Sequence, residues 1–123
     1  MSRILSLDPG HTVGVAALDD SGELYFSMAV PKDTIYRNGF LNKLVAMAKP
    51  DVVLIENLPK SMVDVETNKV WNHFCHWFKI AGFQIVHINP GQWKGLAKRV
   101  EIPGQHARDA ATMAKWWLES QKN

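Results

Sequence analysis

The sequence is short of the features that would assign it to several large protein classes. It has a single cysteine, Cys75, so no disulfide can form within the chain, and a reducing compartment is the expected setting. It has no apolar run of about 18 residues, the length of a membrane-crossing helix. Asp8 interrupts the first apolar stretch too early for a secretory signal. A cytoplasmic protein that makes no use of a membrane is therefore expected. Internal repeats, low-complexity tracts and linkers are missing too. The 123 residues suit a single domain, 1–123, around one core. With 46% hydrophobic and 21% charged residues, the disordered and fibrous classes drop out.

Charge of one sign is also scarce. The net value of +2 is a weak signal for nucleic acid over the whole chain. Its distribution is uneven: residues 1–56 carry five basic and seven acidic side chains, whereas residues 57–109 carry seven basic and four acidic ones. The second stretch suits a phosphate-binding face, and equally a solvated surface with no ligand.

What is present is a clear alternation of element types. Residues 3–7 and 12–18 have the apolar, β-branched character of strands, and residues 23–30 alternate as a third. Their short connections predict an antiparallel meander. Asp33 or Thr34 is placed to cap a helix running to about Ala48, closed by Pro50. The stretch DVVLIE, residues 51–56, is a continuous apolar run of strand length, expected to be buried on both faces and parallel to the first strand. A second helix is predicted over 65–81, with Val70, Phe74, Trp77, Phe78 and Ala81 on its packing stripe, and Gly82 stops it. A fifth strand covers 83–88, and residues 92–104 are expected to be loop or short helix. A last helix spans 105–120, with Ala107, Ala110, Ala111, Ala114 and Trp117 on its packing side. The order β-β-β-α-β-α-β-α is that of the ribonuclease H-like fold, an α/β domain with a five-stranded mixed sheet and flanking helices.

The opening strand, RILSLD, ends on a carboxylate and turns through Pro9-Gly10. Asp-Pro-Gly is ordinary turn chemistry. However, Asp8 finishes the first strand and Glu56 finishes the fourth, so parallel neighbours would bring both acids to the same carboxyl edge, where ligands of open α/β sheets gather. Two such acids repel unless a cation lies between them, and hard oxygen donors suit Mg²⁺ or Mn²⁺. His106 and Asp109, at i and i+3 in the first turn of the last helix, share one face. The small neighbours Ala107, Ala110 and Ala111 would let that helix approach the sheet closely. Asp8, Glu56, His106 and Asp109 are thus the candidate catalytic and metal-holding residues, with two divalent ions per site suited to phosphodiester hydrolysis. Taken singly, each has a plainer explanation as a turn, capping or helix-start residue. Asp51, Asp64 and Glu66 are set aside, the first at the wrong sheet edge and the others opening a helix.

Four segments together resemble the RuvC-type Holliday junction resolvases: ILSLDPGHTVGVAAL, DVVLIEN, NPGQWK and HARDAATMA, in that order and spanning nearly the whole chain. The resemblance implies that Asp8, Glu56 and Asp109 are metal ligands and that His106 is a ligand or an activator of the attacking water. It also implies that Lys94 contacts the phosphates of the cut strand. Only eleven residues separate Lys94 from His106, which is similar to a short version such as phages encode. Lys98, Arg99, Lys60 and His11 join Lys94 as expected DNA contacts, and Trp93 is the aromatic expected to touch DNA. The expected partner is four-way DNA, bound by a homodimer, because a junction has two equivalent strands to cut. Trp71 and Cys75, on a flank of the second helix, are the candidate dimer contact.

Other readings of the same residues differ in class. Asp8-Pro-Gly-His-Thr12 also fits the phosphate loop of the actin and sugar-kinase superfamily, which needs a second domain and gives no role to His106 and Asp109. A non-catalytic DNA-binding module would be expected to have lost part of the acid set. A nuclease for flaps, RNA–DNA hybrids or other branched DNA would use the same acids.

Overall fold

The computed structural model describes residues 2–58, 63–95 and 97–122. Strands β1 (Arg3–Asp8), β2 (Thr12–Asp19) and β3 (Leu24–Pro31) form the expected antiparallel meander. β4 (Val52–Glu56) and β5 (Gln84–Ile88) then add to its other side in parallel, giving the sheet order β3-β2-β1-β4-β5. This is the five-stranded mixed sheet of a ribonuclease H-like fold.

One expected helix is split. The stretch after β3 forms a single turn, α1 (Lys32–Ile35), and a separate helix, α2 (Phe40–Ala48). Gly39 sits between them at φ 82°, a left-handed conformation that glycine adopts without steric cost and that ends helical propagation. Further on, α3 (Val65–Ile80) follows its predicted bounds within a residue, and Asp64 caps it by accepting from the backbone N–H of Thr67 at 2.7 Å. Of its expected stripe, Val70, Phe74 and Phe78 are buried, Trp77 is half-buried and Ala81 is exposed. A short helix, α4 (Pro90–Trp93), follows β5, and α5 (Gln105–Gln121) closes the chain.

The two-residue period of the strands sorts side chains between two cores. Leu5, Leu7, Val53 and Ile55 face α2 and α3 with Leu41, Leu44, Phe74 and Phe78. Ile4, Ala16, Leu18, Val52 and Leu54 face α5 with Ala110, Ala111, Met113 and Ala114. On this alternation Asp8, two residues beyond Ser6, and Glu56, two beyond Leu54, fall on the α5 side. Leu7 pairs with Ile55 in the parallel ladder, so the next residues, Asp8 and Glu56, are neighbours where the strands end.

Two small residues bring α5 down onto the sheet. Gly14 pairs with Asp8 in the antiparallel ladder, and a Cβ on it would overlap the backbone carbonyl of His106 and come within 3.2 Å of the Ala107 nitrogen. Buried Ser6 donates its hydroxyl to the Ala110 carbonyl at 2.7 Å, across 104 residues of sequence. Such a bond contributes about 1 kcal/mol and sets the height of the helix over β1. No described helix is long and apolar enough to cross a membrane.

Candidate active site and nucleic-acid interface

The first turn of α5 thereby stands over the ends of β1 and β4. His106 Nδ1 lies 3.9 Å from Asp8 Oδ2, and the His106 side chain is 46% exposed. Asp8 and Glu56 stand side by side where β1 and β4 end, and both feel the charge of Asp109. All four residues singled out in the sequence therefore meet at one sheet edge.

The electrostatics of this cluster are those of excess negative charge out of water. Burial, first, and then the charge of Glu56, the hydrogen bond to it and the charge of Asp109 push the Asp8 carboxyl up to about 8. Glu56, only 1% exposed, is also raised by burial, while Lys94 and the hydrogen bonds from Asp8 and Trp93 act in the opposite direction. Both acids are thus biased towards sharing a proton. Among the described residues, no group of three or more His, Cys, Asp or Glu side chains is gathered tightly enough, as it stands, to hold an ion. The donor set nevertheless fits a hard divalent cation. It offers carboxylate oxygens that raise one another's pKa and an imidazole beside them.

The segment after β5 provides the positive charge. Lys94 Nζ lies 3.8 Å from Glu56 Oε1 and 5.5 Å from the centre of the Trp93 ring, and its side chain is half exposed. Beyond it, Val100 N–H donates to Thr112 Oγ1 at 3.0 Å, which ties the basic loop to α5. Lys94, Arg99, Gln105 and Asp109 share a cavity of about 410 Å³, so two of the expected DNA contacts line the same hollow as one of the acids. Lys98 is exposed on this loop. Lys60 lies outside the described residues.

Two expected contacts are placed differently. Trp93 is no stacking platform: its side chain is 4% exposed, and its indole N–H donates to Glu56 Oε2 at 3.0 Å. An aromatic ring can stack on a base only if a face is open. His11 is exposed but engaged, its Nε2 lying 2.6 Å from Asp64 Oδ2, which joins the β1–β2 turn to the cap of α3. Trp71 likewise has a partner within the chain, donating to Asn57 Oδ1 at 3.0 Å, and both Trp71 and Cys75 pack against the core. The middle of the exposed face of α3 is polar, carrying Asn68, Lys69, Asn72 and His76.

Of the residues that build the site, sequence reasoning passed over Gly14 and Ser6. The available signals were a glycine inside an apolar strand, which often marks close approach of another backbone, and a lone hydroxyl in a buried one.

Compared with solved structures, the chain superposes on Thermus thermophilus RuvC in complex with a Holliday junction substrate. The TM-score is 0.73 at 13% identity, with 100% of this chain and 97% of that chain covered. The chain has the RuvC fold. A second structure of T. thermophilus RuvC gives a TM-score of 0.71 at 13% identity, covering 98% and 96% of the two chains. The fowlpox virus resolvase, solved with Holliday junction DNA, gives 0.59 at 14% identity over 95% and 99%. No family model matches the chain, and no curated protein matches it in sequence. The likeness is therefore one of fold, at 13–14% identity.

Proposed function

We propose that the chain is a metal-dependent endonuclease of the RuvC type that resolves four-way DNA junctions. The observation that carries this reading is the placing of Asp8 and Glu56 side by side at the carboxyl edge of the sheet, under the turn of α5 that bears His106 and Asp109. A buried pair of acids is costly unless a cation or a proton compensates it. The RuvC and fowlpox virus proteins solved with junction DNA share the fold, which supports the choice of substrate.

Asp8, Glu56, Asp109 and His106 would hold Mg²⁺, with Mn²⁺ able to replace it, as two ions per site. Bound cations would polarise the attacking water and compensate the charge that develops on the phosphate and on the departing oxygen. The chain's own side chains do the remaining work. Lys94, Lys98 and Arg99 draw the phosphate backbone towards the acids and offset its charge as it enters. Where His106 is not itself a ligand, its imidazole, open to solvent on its outer side, would take a proton from the attacking water. Lys94, half exposed beside Glu56, would offer its ammonium to the incoming phosphate.

A junction presents two equivalent strands, so paired cuts call for two such sites related by a two-fold axis, hence a homodimer. This rests on the symmetry of the substrate, since Trp71 and Cys75 are already packed against their own core. Purified protein and Mg²⁺ would be incubated with a four-way junction, a flap, an RNA–DNA hybrid and a plain duplex. Fastest cleavage of the junction, as symmetric paired nicks by a dimer, is expected. Faster cleavage of flaps or hybrids by a monomer would leave a nuclease of the alternative kind, and no cleavage of any substrate would reject the enzyme reading.

A further inference from the structure

We infer that Trp93 is a positioning residue for Glu56, holding one carboxylate oxygen through its indole N–H so that the other is presented to the cation-binding edge. The inference rests on the proposed role of Glu56 as a ligand.

The two oxygens of Glu56 have different surroundings. Oε2 accepts the Trp93 indole N–H at 3.0 Å, in a buried contact that bridges 37 residues of sequence. Oε1 faces the half-exposed Lys94 ammonium at 3.8 Å. An indole N–H can donate but not accept, and it carries no charge. It can therefore fix the orientation of the carboxylate without cancelling the negative charge that a cation requires. A lysine or arginine in the same place would compete with the cation directly.

Trp93 is itself held firmly. Its ring belongs to the core beneath α5, with Ile88, Ala110 and Ala111. The turn that carries it is closed by Asn89 N–H to Gln92 Oε1 at 2.8 Å and Lys94 N–H to Pro90 O at 2.9 Å, and the Trp93 carbonyl accepts from Ala97 N–H at 2.9 Å. The N–H is thus delivered from a rigid frame, as expected of groups that orient metal ligands from behind. A core aromatic that merely fills space needs no such donor, and phenylalanine would serve there equally well.

The test compares Trp93→Phe, which keeps an aromatic filler and loses the N–H, with Trp93→His, which packs less well and keeps a ring N–H. Mn²⁺ binding by calorimetry, metal-free melting temperature, and kcat and KM on junction DNA are measured for the full chain. Trp93→Phe is expected to weaken Mn²⁺ binding by about 10- to 100-fold. It should also lower kcat at fixed metal with KM for DNA unchanged, and the loss should be recovered at high Mn²⁺. Trp93→His should bind Mn²⁺ more tightly than Trp93→Phe even if it melts lower. Combined with Glu56→Gln, Trp93→Phe should cause no further loss of Mn²⁺ binding. Unchanged Mn²⁺ affinity in Trp93→Phe, affinity that tracks melting temperature across the two variants, or an equal loss in the Glu56→Gln background would each overturn the inference. If instead Glu56→Gln alone keeps both metal binding and cleavage, it is the proposed function that fails, and the inference fails with it.

Discussion

Gly14 lies against the backbone carbonyl of His106, with no room between them for a side-chain carbon. One bare α-carbon on β2 therefore decides how near the first turn of α5, with His106 and Asp109, comes to Asp8 on the adjacent strand. Gly14→Ala should lift that turn. Overpacking of this kind costs about 1–3 kcal/mol, so a lower melting temperature is expected. Cleavage should fall far more than the lost stability accounts for, because the folded fraction would have its acids apart. A variant that melts lower yet cleaves normally per folded molecule would show that the approach serves packing alone.

Asp8→Asn should abolish cleavage and stabilise the metal-free protein. In the fold the Asp8 carboxyl is raised from its ordinary 3.8 to about 8. A carboxyl raised in this way contributes its full stability below about pH 4 and loses it progressively as pH rises towards 8. The variant should therefore gain little at pH 4 and most at pH 8, and each 1 kcal/mol gained should add roughly 4 °C to the melting temperature. Melting curves at the two pH values in EDTA check this, and a gain that is independent of pH would contradict the shared-proton account.

Metal binding should release that same proton. Because a cation binds the fully ionised pair, affinity for Mg²⁺ or Mn²⁺ should rise with pH up to the titration of Asp8, near pH 8, and then level off. Below that point each pH unit should lower the affinity by about tenfold. Calorimetry in two buffers of different ionisation enthalpy counts the released protons directly. A count of zero at pH 7 would show that the pair is already ionised.

Lys94→Ala should weaken junction binding and reduce the slope of log affinity against log salt by about one. Lys94 also stands 3.8 Å from Glu56, so its loss removes a charge that favours ionised Glu56, and the metal-free protein should hold its proton more tightly. Binding titrations with a catalytically dead background at several salt concentrations isolate the first effect. An unchanged slope would make this loop a solvated surface.

The acid cluster was legible in the sequence because its cues are local. Strand period puts Asp8 beyond Ser6 and Glu56 beyond Leu54 on one face, and a long connection through a helix makes their strands parallel. The i, i+3 spacing of His106 and Asp109 is likewise a property of one helical turn. The break at Gly39 was also local but ambiguous, since glycine inside a helical pattern interrupts some helices and not others. Other features depended on residues distant in the chain. A tryptophan between Gln92 and Lys94 has the same pattern whether its ring meets DNA or the core, and only the packing of α4 under α5 turned its N–H to Glu56. His11 was an open contact until the cap of α3, 53 residues later, came within 2.6 Å of it. Hydrophobic period and turn chemistry act over a few residues and determined the elements and their order. Tertiary packing decided which polar group faces which, because that choice depends on surfaces that exist only once the helices lie on the sheet.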